Sequence, residues 1–180
     1  MKVCIDPGHG MANRTPGVFD PGAVHGTTFE ADIALAVGFF LRDECARRGW
    51  QFVMTRNDSS TPSPLGRRVG IAKAGGADCL VSIHCNAHDK ITANGTETLY
   101  SHAERLAAAV QRRLVAELGT RDRGVKRGDG LAVLRYDRPA ILVELGFISN
   151  PADRALLVSG EWQKKAAVAI ADGIEEAVTT

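Results

Sequence analysis

Net charge is what this sequence most lacks. Its 180 residues carry 22 basic side chains against 21 acidic ones, a formal net charge of +1. That balance argues against a protein whose whole surface binds polyanions. Long apolar runs are missing too. No stretch approaches the roughly 18 residues of a membrane-spanning helix. The amino terminus, Met1-Lys2-Val3-Cys4-Ile5-Asp6, has neither the apolar segment nor the small-residue cleavage site of a secretory signal. The expectation is synthesis in the cytoplasm, with no signal peptide and no membrane insertion. Cysteine is scarce and poorly spaced for disulfide or metal work. Cys4, Cys45, Cys79 and Cys85 form no Cys-x-x-Cys pair, and Cys4 and Cys79 sit in apolar, strand-like runs. Free buried thiols are therefore expected. Repeats, low-complexity tracts and linkers are also absent, and residues 1–180 read as one domain.

Two segments are locally uneven in charge. Residues 105–127 hold Arg105, Arg112, Arg113, Arg121, Arg123, Lys126 and Arg127 against Glu117 and Asp122. A solvated helix and turn explains this better than a surface for an anionic polymer or nucleic acid, so no nucleic-acid partner is expected. Glu161–Thr180 is acidic on balance, whereas membrane-active helices are usually basic on the polar face. It should pack on the domain through Trp162, Val168, Ile170 and Ile174.

What is there alternates. Val3-Cys4-Ile5 is a short apolar run that stops at Asp6-Pro7-Gly8, a turn signal. Residues 7–27 contain five glycines and three prolines and read as a long loop. Phe29, Ile33, Val37, Phe40 and Leu41 recur at helical spacing from about Thr27 until Gly49. Strands follow at Gln51–Thr55, within Asp78–Cys85, at Gly95–Tyr100, around Leu131–Leu134 and at Ala140–Glu144. Helices follow at Leu65–Ala74, at Ser101–Leu118 and from Pro151 to the end, in one or two pieces. Alternation of this kind predicts an α/β fold around a partly parallel sheet.

Four polar residues stand out by position. His9 follows the first strand, Glu30 opens the first long helix, His84 ends a buried strand, and Glu144 closes Ala140-Ile141-Leu142-Val143. Ligands in open α/β sheets bind beyond the carboxyl ends of strands. Two histidines and a carboxylate form a known zinc set with a position left open for water, and a further carboxylate can then manage the proton. Each residue also has a plainer reading. Thr27-Thr28-Phe29-Glu30 fits a capping box in which Glu30 reaches back to the backbone of Thr27. His84 fits a satisfied core histidine, and His9 a loop decoration. Glu144 resists such a reading, because a buried carboxylate is costly unless paired or used.

The motifs themselves resemble one family along most of the chain. Ile5-Asp6-Pro7-Gly8-His9-Gly10, Asp20-Pro21-Gly22-Ala23, Ser82-Ile83-His84-Cys85-Asn86-Ala87, Gly95-Thr96-Glu97-Thr98-Leu99-Tyr100, Arg123-Gly124-Val125-Lys126 and Val143-Glu144-Leu145-Gly146-Phe147 occur in order. They are similar to the N-acetylmuramoyl-L-alanine amidases of type 3, the AmiC/CwlV kind. The resemblance implies a mixed, mostly parallel sheet of about six strands with helices on both faces. It implies Zn2+ held by His9, Glu30 and His84, catalysis by Glu144, and peptidoglycan as substrate. The match leaves no room for a long regulatory helix, so activity without an activating protein is expected, and a monomer is the default expectation. With no signal peptide visible, an endolysin released through a holin, or an autolysin freed at lysis, is expected to reach the wall. A wall-binding module without activity and a zinc peptidase are the competing readings.

Supporting roles stay open at this point. Asp6 either orients His9 or merely shapes its turn. Glu97 is expected to pair with Arg56 or Arg68. Cys85 replaces the family's usual alanine and should face away from His84. Asn86 and His25 are candidates for touching substrate, while His88 and His102 read as surface residues.

Overall fold

The computed structural model describes residues 1–179. Among these, the strands are β1 (Lys2–Pro7), β2 (Gly10–Met11), β3 (Phe19–Asp20), β4 (Val24–His25), β5 (Thr28–Phe29), β6 (Gln51–Met54), β7 (Cys79–Asn86), β8 (Thr96–Tyr100), β9 (Asp122–Arg127) and β10 (Ala140–Phe147). The helices are α1 (Glu30–Arg47), α2 (Leu65–Ala74), α3 (Glu104–Leu118), α4 (Pro151–Leu157) and α5 (Gly160–Thr179). Thr180, the last residue of the expected domain and closing helix, lies outside the described residues.

Six strands form one sheet in the order β6-β1-β7-β10-β8-β9. The first four are mutually parallel, β8 runs antiparallel to β10, and β9 is parallel to β8. This is the mixed, mostly parallel α/β sheet that the sequence led us to expect. Alternation along the strands sorts side chains onto two faces. Val81, Ile83, Ile141, Val143 and Leu145 enter a large core with α1, α3 and α5. Leu80, Leu142 and Cys4 enter a smaller one beneath Ala72 of α2 and Tyr136. Burial of each such aliphatic side chain contributes roughly 1.5–3 kcal/mol. Cys85 belongs to the large core, on the face away from His84, and all four cysteines are free and buried. No described helix is long and apolar enough to cross a membrane. In α5, Trp162, Ile170 and Ile174 are buried against the domain.

Three local readings need correction. Asp122–Arg127, taken for part of a solvated helix and turn, is an edge strand. Five of the basic residues of 105–127 are paired with carboxylates: Arg112 and Arg113 with Glu176, Arg123 and Lys126 with Glu97, and Arg127 with Asp129. Leu131–Leu134 is no strand, since Ala132–Arg135 forms a 3-10 turn. The long loop is pinned by two small ribbons, in which Gly10 pairs with Asp20 and Val24 with Phe29.

Candidate metal centre and active site

The site is built on a strained turn. His9 has a φ of 60° although it is not glycine, a conformation that costs on the order of 1 kcal/mol and persists only when its surroundings impose it. Two buried arginines do so. Arg68 donates to the carbonyls of Pro7 and His9, to Oδ1 of Asn13 and to Oδ1 of Asp6. Arg56 donates to the carbonyls of Pro7, Gly8 and Ala31. Neither pairs with Glu97, contrary to expectation. Asp6 does not touch His9 either. Its carboxylate accepts from Thr55, Arg68 and Ser82, so it anchors the arginine that holds the turn.

The residue that orients His9 is Asp20, whose Oδ2 lies 3.1 Å from Nδ1 of the ring. Asp20 is set in turn by Asn13 and by the amide of Gly22. Sequence reasoning missed this role. The Asp-Pro-Gly motif was visible, but the pairing of β2 with β3 that carries it to His9 was not.

Glu30 is no capping box. The first amides of α1 are taken by backbone carbonyls, Glu30 N by Ala23 O at 3.0 Å and Ala31 N by Pro21 O at 3.0 Å. That leaves the Glu30 carboxylate free to turn inward. Oε1 lies 2.8 Å from Nδ1 of His84 and accepts the amide of Cys85, while Oε2 lies 3.1 Å from Nε2 of His9 and accepts the amide of Ala23. The two imidazoles stand edge to face with centroids 5.0 Å apart. One ligand atom from each of His9, Glu30 and His84 falls within a 4.8 Å cluster. Burial favours the neutral His9 ring, but the carboxylates of Glu30 and Asp20 outweigh it and raise its proton affinity. Burial also opposes charge on Glu30, yet hydrogen bonds and attraction from both histidines hold its carboxyl far below the usual range. Glycine makes the close approach possible. A Cβ on Gly8 would sit 2.4 Å from the His84 ring, and one on Gly22 would sit 2.5 Å from Oε2 of Glu30.

Glu144 lies beside this cluster, in register with His84 on the neighbouring parallel strand. Its side chain is only half-buried as a whole, but Oε2 is sealed from solvent and finds no hydrogen-bond partner among the described residues. Burial, with repulsion from Glu30 and Glu97, pushes its carboxyl well above the ordinary range. A cavity of about 140 Å³ opens over His9 and His84, walled by Asn13, Arg68, Leu131 and Leu142.

The sequence profile described as N-acetylmuramoyl-L-alanine amidase matches residues 3–176. The chain belongs to that family. Among its relatives, the Bacillus subtilis protein YqiI, which is uncharacterized, is 41% identical over 179 residues, covering 96% of this chain and 82% of that protein. The amidase LytC of Bacillus subtilis is 36% identical over 178 residues, covering 95% of this chain but 34% of LytC. The chain thus spans about a third of that relative. Of solved structures, the catalytic domain of the amidase CwlV from Bacillus (Paenibacillus) polymyxa var. colistinus superposes with a TM-score of 0.89 at 32% identity, covering 99% of this chain and 98% of that domain.

Within the amidase fold the other candidates separate. Asn86 donates to Oε1 of Glu97, and Glu97 is paired with Arg123 and Lys126. His25 is exposed on β4, His88 accepts the amide of Lys90, and Nε2 of His102 lies 3.1 Å from the carbonyl of Arg138. None of these three histidines joins the cluster of His9, Glu30 and His84.

Proposed function

We propose that this amidase is zinc-dependent and hydrolyses the amide between N-acetylmuramic acid and L-alanine in peptidoglycan, with His9, Glu30 and His84 as the metal ligands and Glu144 as the general base. The observation that carries the reading is the 4.8 Å cluster of two imidazoles and one carboxylate, lying next to a glutamate of the neighbouring strand with an unsatisfied buried oxygen. The donor set suits zinc, and the cavity beside it leaves a side open for water and substrate. Bound zinc supplies a water whose pKa falls from about 15.7 toward 7, and polarises the scissile carbonyl.

The chain's own residues divide the remaining work. Glu30 balances the charge of the site, and Asp20 holds the ring of His9 through Nδ1. Glu144 takes a proton from the attacking water. A carboxylate with raised proton affinity is a stronger base than an exposed glutamate. It then gives the proton to the alanine nitrogen as the C–N bond breaks. The water oxygen ends in the lactyl carboxyl group of the muramic acid, and the peptide leaves with a free amine.

Purified wall digested by the wild type and by Glu144→Ala, with products read by mass spectrometry and metal by elemental analysis, tests this. Wild type should bind about one zinc per chain and release stem peptides that begin with L-alanine, whereas Glu144→Ala should keep the zinc and release none. Stem peptides shortened but still attached to muramic acid would point to a zinc peptidase instead. The biological role that fits is lysis of the wall, as an endolysin or autolysin. Lysis of whole cells only after their membrane is opened is the matching observation.

A further inference from the structure

Arg123 Nε and Lys126 Nζ each lie 2.6 Å from the same oxygen, Oε2 of Glu97. Regular alternation would place residues three apart on opposite faces of a strand. Val125, in register with Thr98, packs against the large core, and Lys126 pairs in register with Leu99. Between Thr96 and Thr98 the register breaks, and Gly124 takes a φ of 75°. This bulge turns Arg123 onto the face of Lys126. There the guanidinium lies 4.7 Å over the ring of Phe147. Glu97 stands directly across the β8–β10 ladder from Glu144, and side chains so paired begin about 4.5–5.5 Å apart.

One cation would neutralise Glu97. Two leave a positive surplus, and it is accessible: Arg123 and Lys126 are 25% and 44% exposed. The inference that follows rests on the amidase reading given above. In that substrate the lactyl carboxyl is consumed by the scissile amide, and the adjoining sugars are uncharged. The anions near the cut therefore belong to the peptide. We propose that Arg123 and Lys126, positioned by Glu97, form a subsite for a stem-peptide carboxylate on the leaving side, the free α-carboxylate of the second, γ-linked residue.

Two soluble muramyl peptides that differ only in carrying a carboxylate or a carboxamide at that second residue provide the test. Wild type should favour the carboxylate by at least about tenfold in kcat/KM, with the difference in KM, as for a charge-assisted contact. Lys126→Met should narrow the preference, Lys126→Arg should retain it, and Arg123→Gln with Lys126→Met should abolish it. Melting temperatures show which variants are folded, and the two single variants decide if the double one is not. Equal rates on both peptides in wild type overturn the subsite while leaving the amidase reading intact. So does a Lys126→Met enzyme slowed equally on both, which marks a structural role. If neither peptide is cut at the muramoyl amide, the amidase reading fails and the subsite falls with it.

Discussion

Asp20 Oδ2 lies 3.1 Å from Nδ1 of His9, which fixes the proton on that nitrogen and turns Nε2 toward Glu30. Partners of this kind are worth about 10- to 100-fold in metal affinity. Asp20→Asn is therefore expected to bind zinc more weakly by such a factor, with activity restored by excess zinc. Competition against a chromogenic chelator measures it, and an unchanged affinity would refute the orienting role.

Gly8 tolerates no side chain, because its Cβ would lie 2.4 Å from the His84 ring. Gly8→Ala should displace that ring, lower zinc occupancy and cut activity by about 100-fold, the usual cost of a misplaced catalytic group. Circular dichroism should show a folded chain, in contrast to a core defect.

The pair of Asp6 and Arg68 makes stability acid-sensitive. Burial raises the proton affinity of Asp6, but Arg68 and the hydroxyls of Ser82 and Thr55 outweigh it and hold the carboxyl below the ordinary range. The folded state thus binds this proton less readily than the unfolded chain. Its contribution is complete above the unfolded value of about 4 and is lost as pH falls through the lower folded value. Urea titrations in chelator between neutral pH and pH 3 should show that decline. Asp6→Asn should be less stable at neutral pH and show a flatter acid limb.

Helices α3 and α5 touch at Gly173, where a Cβ would lie 2.5 Å from the backbone of Val110. Overpacking costs about 1–3 kcal/mol, so Gly173→Ala should lower the melting temperature by roughly 2–4 °C per kcal/mol in a chain this size. It should leave kcat alone, since neither Gly173 nor Val110 belongs to the cluster of His9, Glu30 and His84 or lines the cavity over it. A drop in kcat at a temperature where the variant is folded would contradict that separation.

Activity should need no protein activator. Dye-labelled wall incubated with the purified, zinc-loaded chain should release dye by itself. Silence from a chain that holds its zinc would indicate an inhibitory element.

Much of the fold was legible. Leu65–Ala74 and the buried strand that carries His84 were marked by local signals, the Pro62-Ser63-Pro64 break before the one and the largely apolar run Cys79-Leu80-Val81-Ser82-Ile83 for the other. Local signals failed where pairing decides. Asp122–Arg127 reads as polar because an edge strand with exposed side chains carries no apolar pattern, and only its hydrogen bonds to β8 make it part of the sheet. Leu131–Leu134 looked like a strand because a short apolar run has no period long enough to separate strand from 3-10 turn.

The candidate site divides the same way. By itself the sequence marked His9 as following the first strand, Glu30 as opening a helix, and His84 and Glu144 as lying on buried strands, since chain order, turn residues and apolar runs are local properties. It ended those two strands too early, as β7 runs on to Asn86 and β10 to Phe147. Tertiary structure decided everything that depends on distance. It sent the Glu30 carboxylate to two histidines rather than to Thr27, gave the orientation of His9 to Asp20 rather than Asp6, spent Arg56 and Arg68 on the turn, and set Glu97 opposite Glu144. Such choices depend on which hydrogen-bond partners and charges lie within about 3 Å once the strands are in register, and no spacing along the chain encodes that.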